Sequence, residues 1–140
     1  MNVDKLTQKV QEALVGAQDI SLNYSHQSID AEHLLMALLT QEDGIAQSLL
    51  ESIEASASDL IERLESDLRN RPRLSGPGVD ESSLYVTQRL NRIISQARKE
   101  AKKLKDEYVS VEHVLLAMVD EMPLFREYGI TREMLLNKLK

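Results

Sequence analysis

Two stretches decide the fold: Ile29-Asp30-Ala31-Glu32-His33-Leu34-Leu35 and Val109-Ser110-Val111-Glu112-His113-Val114-Leu115. They match position by position at an offset of 80 residues. The same offset sets Leu6-Thr7-Gln8-Lys9-Val10 over Val86-Thr87-Gln88-Arg89-Leu90, Ala17 over Ala97 and Ala37 over Ala117. Separate blocks agreeing on one offset are hard to obtain by chance, so the chain is a tandem duplication. Each block reads as the start of a helix. Asp30 and Ser110 are good N-caps, and Ile29 and Val109 can staple onto Leu34 and Val114. Glu32 and Glu112 lie in the first turn, where the helix dipole favours negative charge. The residues that follow, Leu34–Leu39 and Val114–Val119, are apolar nearly all round and predict the most buried helix of each half.

Working outward, Leu6, Val10, Ala13, Leu14, Ala17 and Tyr24 recur at helical spacing, as do Leu90, Ile93, Ile94, Ala97, Ala101 and Leu104. Thr7 and Thr87 stand where an N-cap is expected. Past Gly44 the first half continues through Ile45, Leu49, Leu50 and Ile53 into a helix with Leu60, Ile61, Leu64 and Leu68, capped by Ser56. The second half is shorter there: Pro123 breaks the chain, Gly129 ends a brief turn, and Thr131 caps Met134, Leu135, Leu136 and Leu139. Between the halves, Arg71-Pro72-Arg73-Leu74-Ser75-Gly76-Pro77-Gly78 opposes regular structure. The prediction is an all-α domain of two tandem, pseudo-twofold helical repeats with about four helices each. Repeat one covers about 4–69, the linker about 70–83, and repeat two about 84–140. The repeats need each other to cover their apolar faces, so one compact domain is expected.

Composition agrees. Of 140 residues 42% are apolar, but only 4% are aromatic and Trp is absent, which calls for an aliphatic core of packed helices. A formal charge of -6 argues against nucleic-acid binding, which needs a basic surplus on one face. The run Arg98–Lys105 is interrupted by Glu100 and bounded by Asp106 and Glu107, and reads as a solvated helix face. The absence of Cys excludes disulfides, thiol nucleophiles and Cys-based zinc sites, and fits a reducing compartment. No signal-peptide pattern and no membrane-length apolar run are present, so a soluble, cytoplasmic protein without membrane contact is expected.

Catalytic constellations are missing. There is no phosphate-cradling Gly-x-x-x-x-Gly-Lys-Ser/Thr loop and no Gly-x-Ser-x-Gly elbow, so this domain is expected not to be an enzyme. The repeated Glu32-His33 and Glu112-His113 pairs do not make a metal site, because adjacent residues diverge by about 100° around a helix. Asp30-x-x-His33 has ligand spacing, but its counterpart begins with Ser110. Each His is read instead as supporting the helix start. Met36, Met118, Met122 and Met134 are read as core. Two readings of Glu32 and Glu112 stay open: stabilisers of a helix N-terminus, or paired binding carboxylates beside Thr7 and Thr87.

These blocks resemble the Clp amino-terminal repeat domain, the mobile head of the Clp ATPases, over essentially the whole chain. Arg71-Pro72-Arg73-Leu74-Ser75-Gly76 and Tyr108-Val109-Ser110-Val111-Glu112-His113 are most similar to the ClpB branch, the protein disaggregases. The resemblance implies the N-terminal part of a longer ATP-driven unfoldase, a homohexamer through its ATPase rings, with ATP and magnesium held by those other domains. No cofactor is implied for this domain, and the isolated head is expected to be monomeric. It implies binding of unfolded or aggregated polypeptide, with matched positions at Thr7, Asp106 and Glu112. Asp106 falls opposite His26, so that feature is not symmetric. In the related ClpC branch the Thr and Glu of each half bind phosphorylated arginine, and the matching residues are Thr7 with Glu32 and Thr87 with Glu112. ClpA and ClpC heads also dock folded adaptor proteins, which is the rival expectation.

A mechanism follows as an expectation. Apolar residues near the ends of the two long helices form a shallow groove where the halves meet, and apolar client segments dock there weakly. The net negative charge of the chain would favour basic or neutral client segments.

Overall fold

The computed structural model describes residues 3–73 and 84–139. Among these the chain forms eight helices and two very short strands. The first half comprises α1 (Gln8–Asn23), β1 (Ser28–Ile29), α2 (Ala31–Leu39), α3 (Ile45–Ser52) and α4 (Ala57–Arg69). The second comprises β2 (Tyr85–Val86), α5 (Gln88–Lys103), α6 (Val111–Glu121), α7 (Pro123–Glu127) and α8 (Arg132–Leu139). The expected linker core, Leu74 to Gly78 and onward to 83, lies outside the described residues.

The caps fall where the side chains allow them. Thr7 and Thr87 accept the Val10 and Leu90 N–H groups at 3.4 and 3.1 Å, and Ser56 and Thr131 accept those of Asp59 and Met134. Pro123 opens α7 at a position whose N–H has no helical acceptor anyway. α2 and α6 are the central helices: Leu34, Leu35, Leu38, Leu115, Leu116 and Met118 are fully buried. α1 packs on α2 and α5 on α6, each long helix covering the buried helix of its own half. Gly16 permits that approach in the first half, since a Cβ there would come within 3.3 Å of the Ala37 Cβ.

The halves are joined by backbone. β1 and β2 pair in parallel, Ser28 with Tyr85 and Ile29 with Val86, and an isolated parallel bridge links Leu6 to Val109. Under the repeat these two links are equivalent, since Leu6 corresponds to Val86 and Val109 to Ile29. Thr7 N–H donates to the Val109 carbonyl at 3.0 Å, and Thr87 N–H to that of Ile29 at 3.1 Å. The segment entering each long helix therefore pairs with the segment entering the buried helix of the opposite half.

The repeated histidines have a defined role. α1 and α5 each end on a Schellman turn with a non-glycine residue in the left-handed region, Ser25 at φ 57° and Lys105 at φ 61°. The closing bonds, His26 N–H to Ser21 and Asp106 N–H to Ala101, are 2.9 and 2.8 Å. These turns aim His26 and Asp106 at the next helix start. There His33 and His113 complete capping boxes: each Nδ1 accepts an N-cap N–H, from Asp30 and from Ser110, at 2.9 Å. Accepting at Nδ1 leaves the proton on Nε2, which meets His26 Nδ1 at 2.8 Å in one half and the Asp106 carboxylate at 2.8 Å in the other. His26 passes its own Nε2–H to the Leu68 carbonyl at 3.0 Å. The first-half chain from Asp30 N–H to Leu68 is satisfied only with both rings neutral. Accordingly burial, aided by the nearby Arg71 charge, holds the His33 pKa down to about 4 and lowers that of His26.

The second half buries a charge instead. Glu100, at the position of Ile20, is 1% exposed and takes a bidentate bond from Arg132 with both contacts at 2.5 Å. That bond, against the opposing effect of burial, lowers the Glu100 pKa.

Two outcomes are expected. In the unfolded chain His33 takes up a proton near 6.5, while the folded chain resists until about 4, so stability falls as pH drops through that window. His33 alone accounts for about 2 kcal/mol of loss between about pH 7 and pH 4.5. His33→Gln keeps a capping-box acceptor but removes the titration, so urea midpoints should fall less steeply with acid than in wild type; parallel slopes would rule His33 out as the source. Second, Arg132→Met strands a buried carboxylate and should cost about 3 kcal/mol in urea denaturation. The double variant Glu100→Ile/Arg132→Met should recover most of that loss.

Candidate functional site

The crossed backbone pairing decides which candidate residues meet. Thr87, at the start of α5, lies against the start of α2: its hydroxyl donates to Asp30 Oδ1 at 2.8 Å. The Arg89 guanidinium grips the same carboxylate, Nε to Oδ1 at 3.2 Å and Nη2 to Oδ2 at 3.1 Å, and also bonds Glu32. Arg71 reaches in from the end of the first half and bonds both Asp30 and Glu32. Burial would raise the Asp30 pKa, but the Arg89, Ala31 and Thr87 hydrogen bonds outweigh it and hold it at about 2. Glu32 is thus grouped with Thr87, not with Thr7. The expected pairing within each half, Thr7 with Glu32 and Thr87 with Glu112, stays an expectation, while each long helix enters beside the other half's cap.

At the equivalent junction Thr7 is held to Val109, at the entrance of α6, whose first turn carries Glu112. This junction has no guanidinium clamp among the described residues. Lys9 occupies the position of Arg89, but its ammonium turns away to the Glu42 carbonyl at 3.2 Å. Glu112 Oε1 is buried and has no hydrogen-bond partner among the described residues. Asp106 stands near this junction through its bond to His113 while remaining solvent-exposed. The five candidates therefore divide: Thr7, Asp106 and Glu112 gather at an open acidic junction, and Glu32 and Thr87 at one closed by Arg71 and Arg89.

Between the junctions, on the seam of the halves, lies an apolar groove of about 170 Å³. It is lined by Val3, Leu14, Val15, Ile29, Val86 and Leu90, with Gln18 at its edge. Val15 is 60% exposed and Val3 49%, so their apolar surface faces solvent here. The residue list of this groove is not read from helical periodicity. Its one sequence signal is Val15, an apolar side chain beside Leu14 and off the buried stripe of α1. The Arg71–Glu32 contact had no signal, since it depends on where the chain leaves α4. Among the described residues no group of three or more His, Asp or Glu is placed to hold a metal ion, and no helix is long and apolar enough to cross a membrane.

Comparison with known proteins agrees with this architecture. Residues 5–127 match the Clp repeat (R) N-terminal domain family. The chain is 39% identical to the chaperone protein ClpB of Nitratidesulfovibrio vulgaris, over all of this chain and 17% of that protein. It is 38% identical to ClpB of Bacillus cereus, over 99% of this chain and 16% of that one. The chain thus spans about one sixth of the length of these curated relatives. Among solved structures, the Hsp104 N-terminal domain of Candida albicans superposes with a TM-score of 0.80 at 17% identity, covering 96% of this chain and 89% of that one. A ClpV N-domain in complex with a VipB peptide gives 0.76 at 17% identity, covering 94% and 82%. With a tandem helical repeat, paired capping-box helices and whole-chain identity to ClpB chaperones, the chain belongs to the Clp repeat N-terminal domain family.

Proposed function

We propose that this domain recognises clients for a ClpB-type disaggregase, binding exposed apolar segments of unfolded or aggregated polypeptide and delivering them to an ATPase ring. The observation that carries this reading is the seam groove, where Val3 and Val15 offer apolar surface that the fold itself leaves uncovered. A groove this small accommodates a few side chains, which gives weak, fast-exchanging contacts suited to handing a client onward. A neighbour of the same fold, the ClpV N-domain, has been solved with a peptide, which supports peptide capture by this architecture. In this reading the domain catalyses nothing itself. ATP and magnesium serve other parts of a longer, hexameric cytoplasmic protein, and this domain alone is a monomer.

The rim carries the second reading, ligand docking at an acidic junction in the manner of an adaptor or phosphoarginine head. The buried Glu112 oxygen, without a hydrogen-bond partner among the described residues and on the helix entered at the Val109 carbonyl that holds Thr7, favours the second-half junction for it. At the first junction an external guanidinium must displace Arg71 and Arg89 from Glu32.

Amide NMR titration with a permanently unfolded protein, and a folded protein as control, tests the main reading. Shifts should gather at Val3, Leu14, Val15, Ile29, Val86 and Leu90, and vanish in Val15→Glu, an exposed substitution that leaves the core intact. Silence with both proteins would leave adaptor docking in the lead. Free phosphoarginine should perturb Thr7 and Glu112 but not Thr87 and Glu32; equal perturbation at both junctions would contradict the closed state of the first.

A further inference from the structure

The space between the long helix and the C-terminal end of the buried helix is filled differently in the two halves. In the second half, guanidinium groups hold it. Arg92 of α5 pairs with Glu121 of α6, Nε to Oε1 at 3.2 Å, and Arg132, at the start of α8, holds Glu100 on α5 and Asp120 on α6. In the first half the repeat places Glu12 for Arg92, Gln41 for Glu121, Ile20 for Glu100 and Thr40 for Asp120. Ala57 follows the Ser56 cap as Arg132 follows Thr131, and it brings no cation. What remains is a cleft of about 430 Å³ between α1 and the end of α2.

Ala13, Gly16, Ile20 and Ala37 give this cleft apolar walls, and the exposed Glu12 and Glu42 stand among its lining residues. Neither carboxylate forms an ion pair among the described residues; Glu12 accepts the Gln8 amide at 3.2 Å. Gln41 donates its Nε2–H to the Lys9 carbonyl at 2.8 Å, and its buried Oε1 has no donor among the described residues. Lys9 also lines the cleft, but its ammonium is spent on the Glu42 carbonyl at 3.2 Å. Two carboxylates against one ammonium leave the lining negative. Apolar walls beside free carboxylates suit a side chain with a methylene stem and a cationic head. Arg fits better than Lys, because its planar fork can bridge two acceptors, and both cations that hold the second half are Arg.

We propose that the α1–α2 cleft docks an arginine side chain presented by a partner protein, which supplies from outside the guanidinium that the second half supplies for itself. The stem lies against Ile20 and Ala37, and the guanidinium pairs with Glu12 and Glu42. The cleft shares no lining residue with the seam groove. Its α1 positions Glu12, Gly16 and Ile20 fall on the opposite side of that helix from Leu14, Val15 and Gln18, which line the groove. The site is thus independent of client capture at the seam, and a partner held here leaves the groove free.

The test is an amide NMR titration of this chain with acetyl-Gly-Arg-Gly-amide, and with the citrulline peptide that keeps the shape of Arg without its charge. The Arg peptide should shift the Gly16, Ile20, Ala37 and Gln41 amides and bind about five- to ten-fold more tightly than the citrulline peptide at low salt, as expected for two exposed ion pairs. Glu12→Arg/Gln41→Glu installs the pair that Arg92 and Glu121 form in the second half, and should abolish these shifts while the amides lining the seam groove keep their wild-type positions. Glu12→Gln/Glu42→Gln, which preserves shape, should bring the Arg peptide down to the affinity of the citrulline one. Equal binding of both peptides, cleft shifts that survive the two double variants, or no cleft shifts at all overturns the proposal. Shifts confined to Thr7 and Glu112 also overturn it, and place the guanidinium at the acidic junction instead. None of these outcomes bears on the seam groove, which the unfolded-protein titration decides.

Discussion

Everything at the functional face depends on the crossed parallel pairing of the halves, Leu6 with Val109 and Ile29 with Val86. Each link is short and contributes little on its own, yet it fixes where a long helix begins relative to the opposite half's buried helix. That places Thr87 on the Asp30 cap and Thr7 at the entrance of α6. It also draws Val3, Val15, Ile29 and Val86 together, so the groove exists only because the halves are crossed. The apolar groove and the two junctions thus share one origin: two copies of a unit that cannot satisfy its entering backbone alone.

Duplication supplied equivalent sites, and substitution then made them unequal. At the first junction Arg89, with Arg71, neutralises Asp30 and Glu32 and ties the end of α4 to the start of α5. At the second, Lys9 is drawn off to the Glu42 carbonyl, and the buried Glu112 Oε1 has no hydrogen-bond partner among the described residues. Arg differs from Lys here for a geometric reason: its planar fork spans both oxygens of Asp30, which a single ammonium cannot do. One junction is clasped by two guanidinium groups, and the other has no such clasp among the described residues. The same divergence separates His26 from Asp106, which support the same capping histidine by a neutral and by an anionic acceptor.

The α1 and α5 termini show how far local rules reach. Both Schellman turns place Ser25 and Lys105 in a conformation that glycine would occupy at less cost. With no glycine as a marker, the turn is invisible to a search for helix stops. Only the tertiary reward, a His26 or Asp106 side chain delivered to the next helix's cap, accounts for it. Likewise a His at N3 is not the usual Glu or Gln of a capping box, so the role of His33 and His113 was legible as support for a helix start but not as a specific bond.

The sequence by itself determined the duplication, the all-helical class, the caps at Thr7, Asp30, Ser56, Thr87, Ser110 and Thr131, and the burial of the α2 and α6 cores. Each of these is set by neighbours within a turn or two, or by a periodicity that a helix must obey. Tertiary structure alone decided that Thr87 meets the Asp30 cap, that Arg71 and Arg89 converge on Glu32, that Val15 borders a groove and that Glu100 is buried while Lys99 and Lys102 stay exposed. Those outcomes depend on how two helical units cross. Two-residue strands carry no alternation from which that crossing could be read, and hydrogen bonds between residues about 60 positions apart leave no local trace.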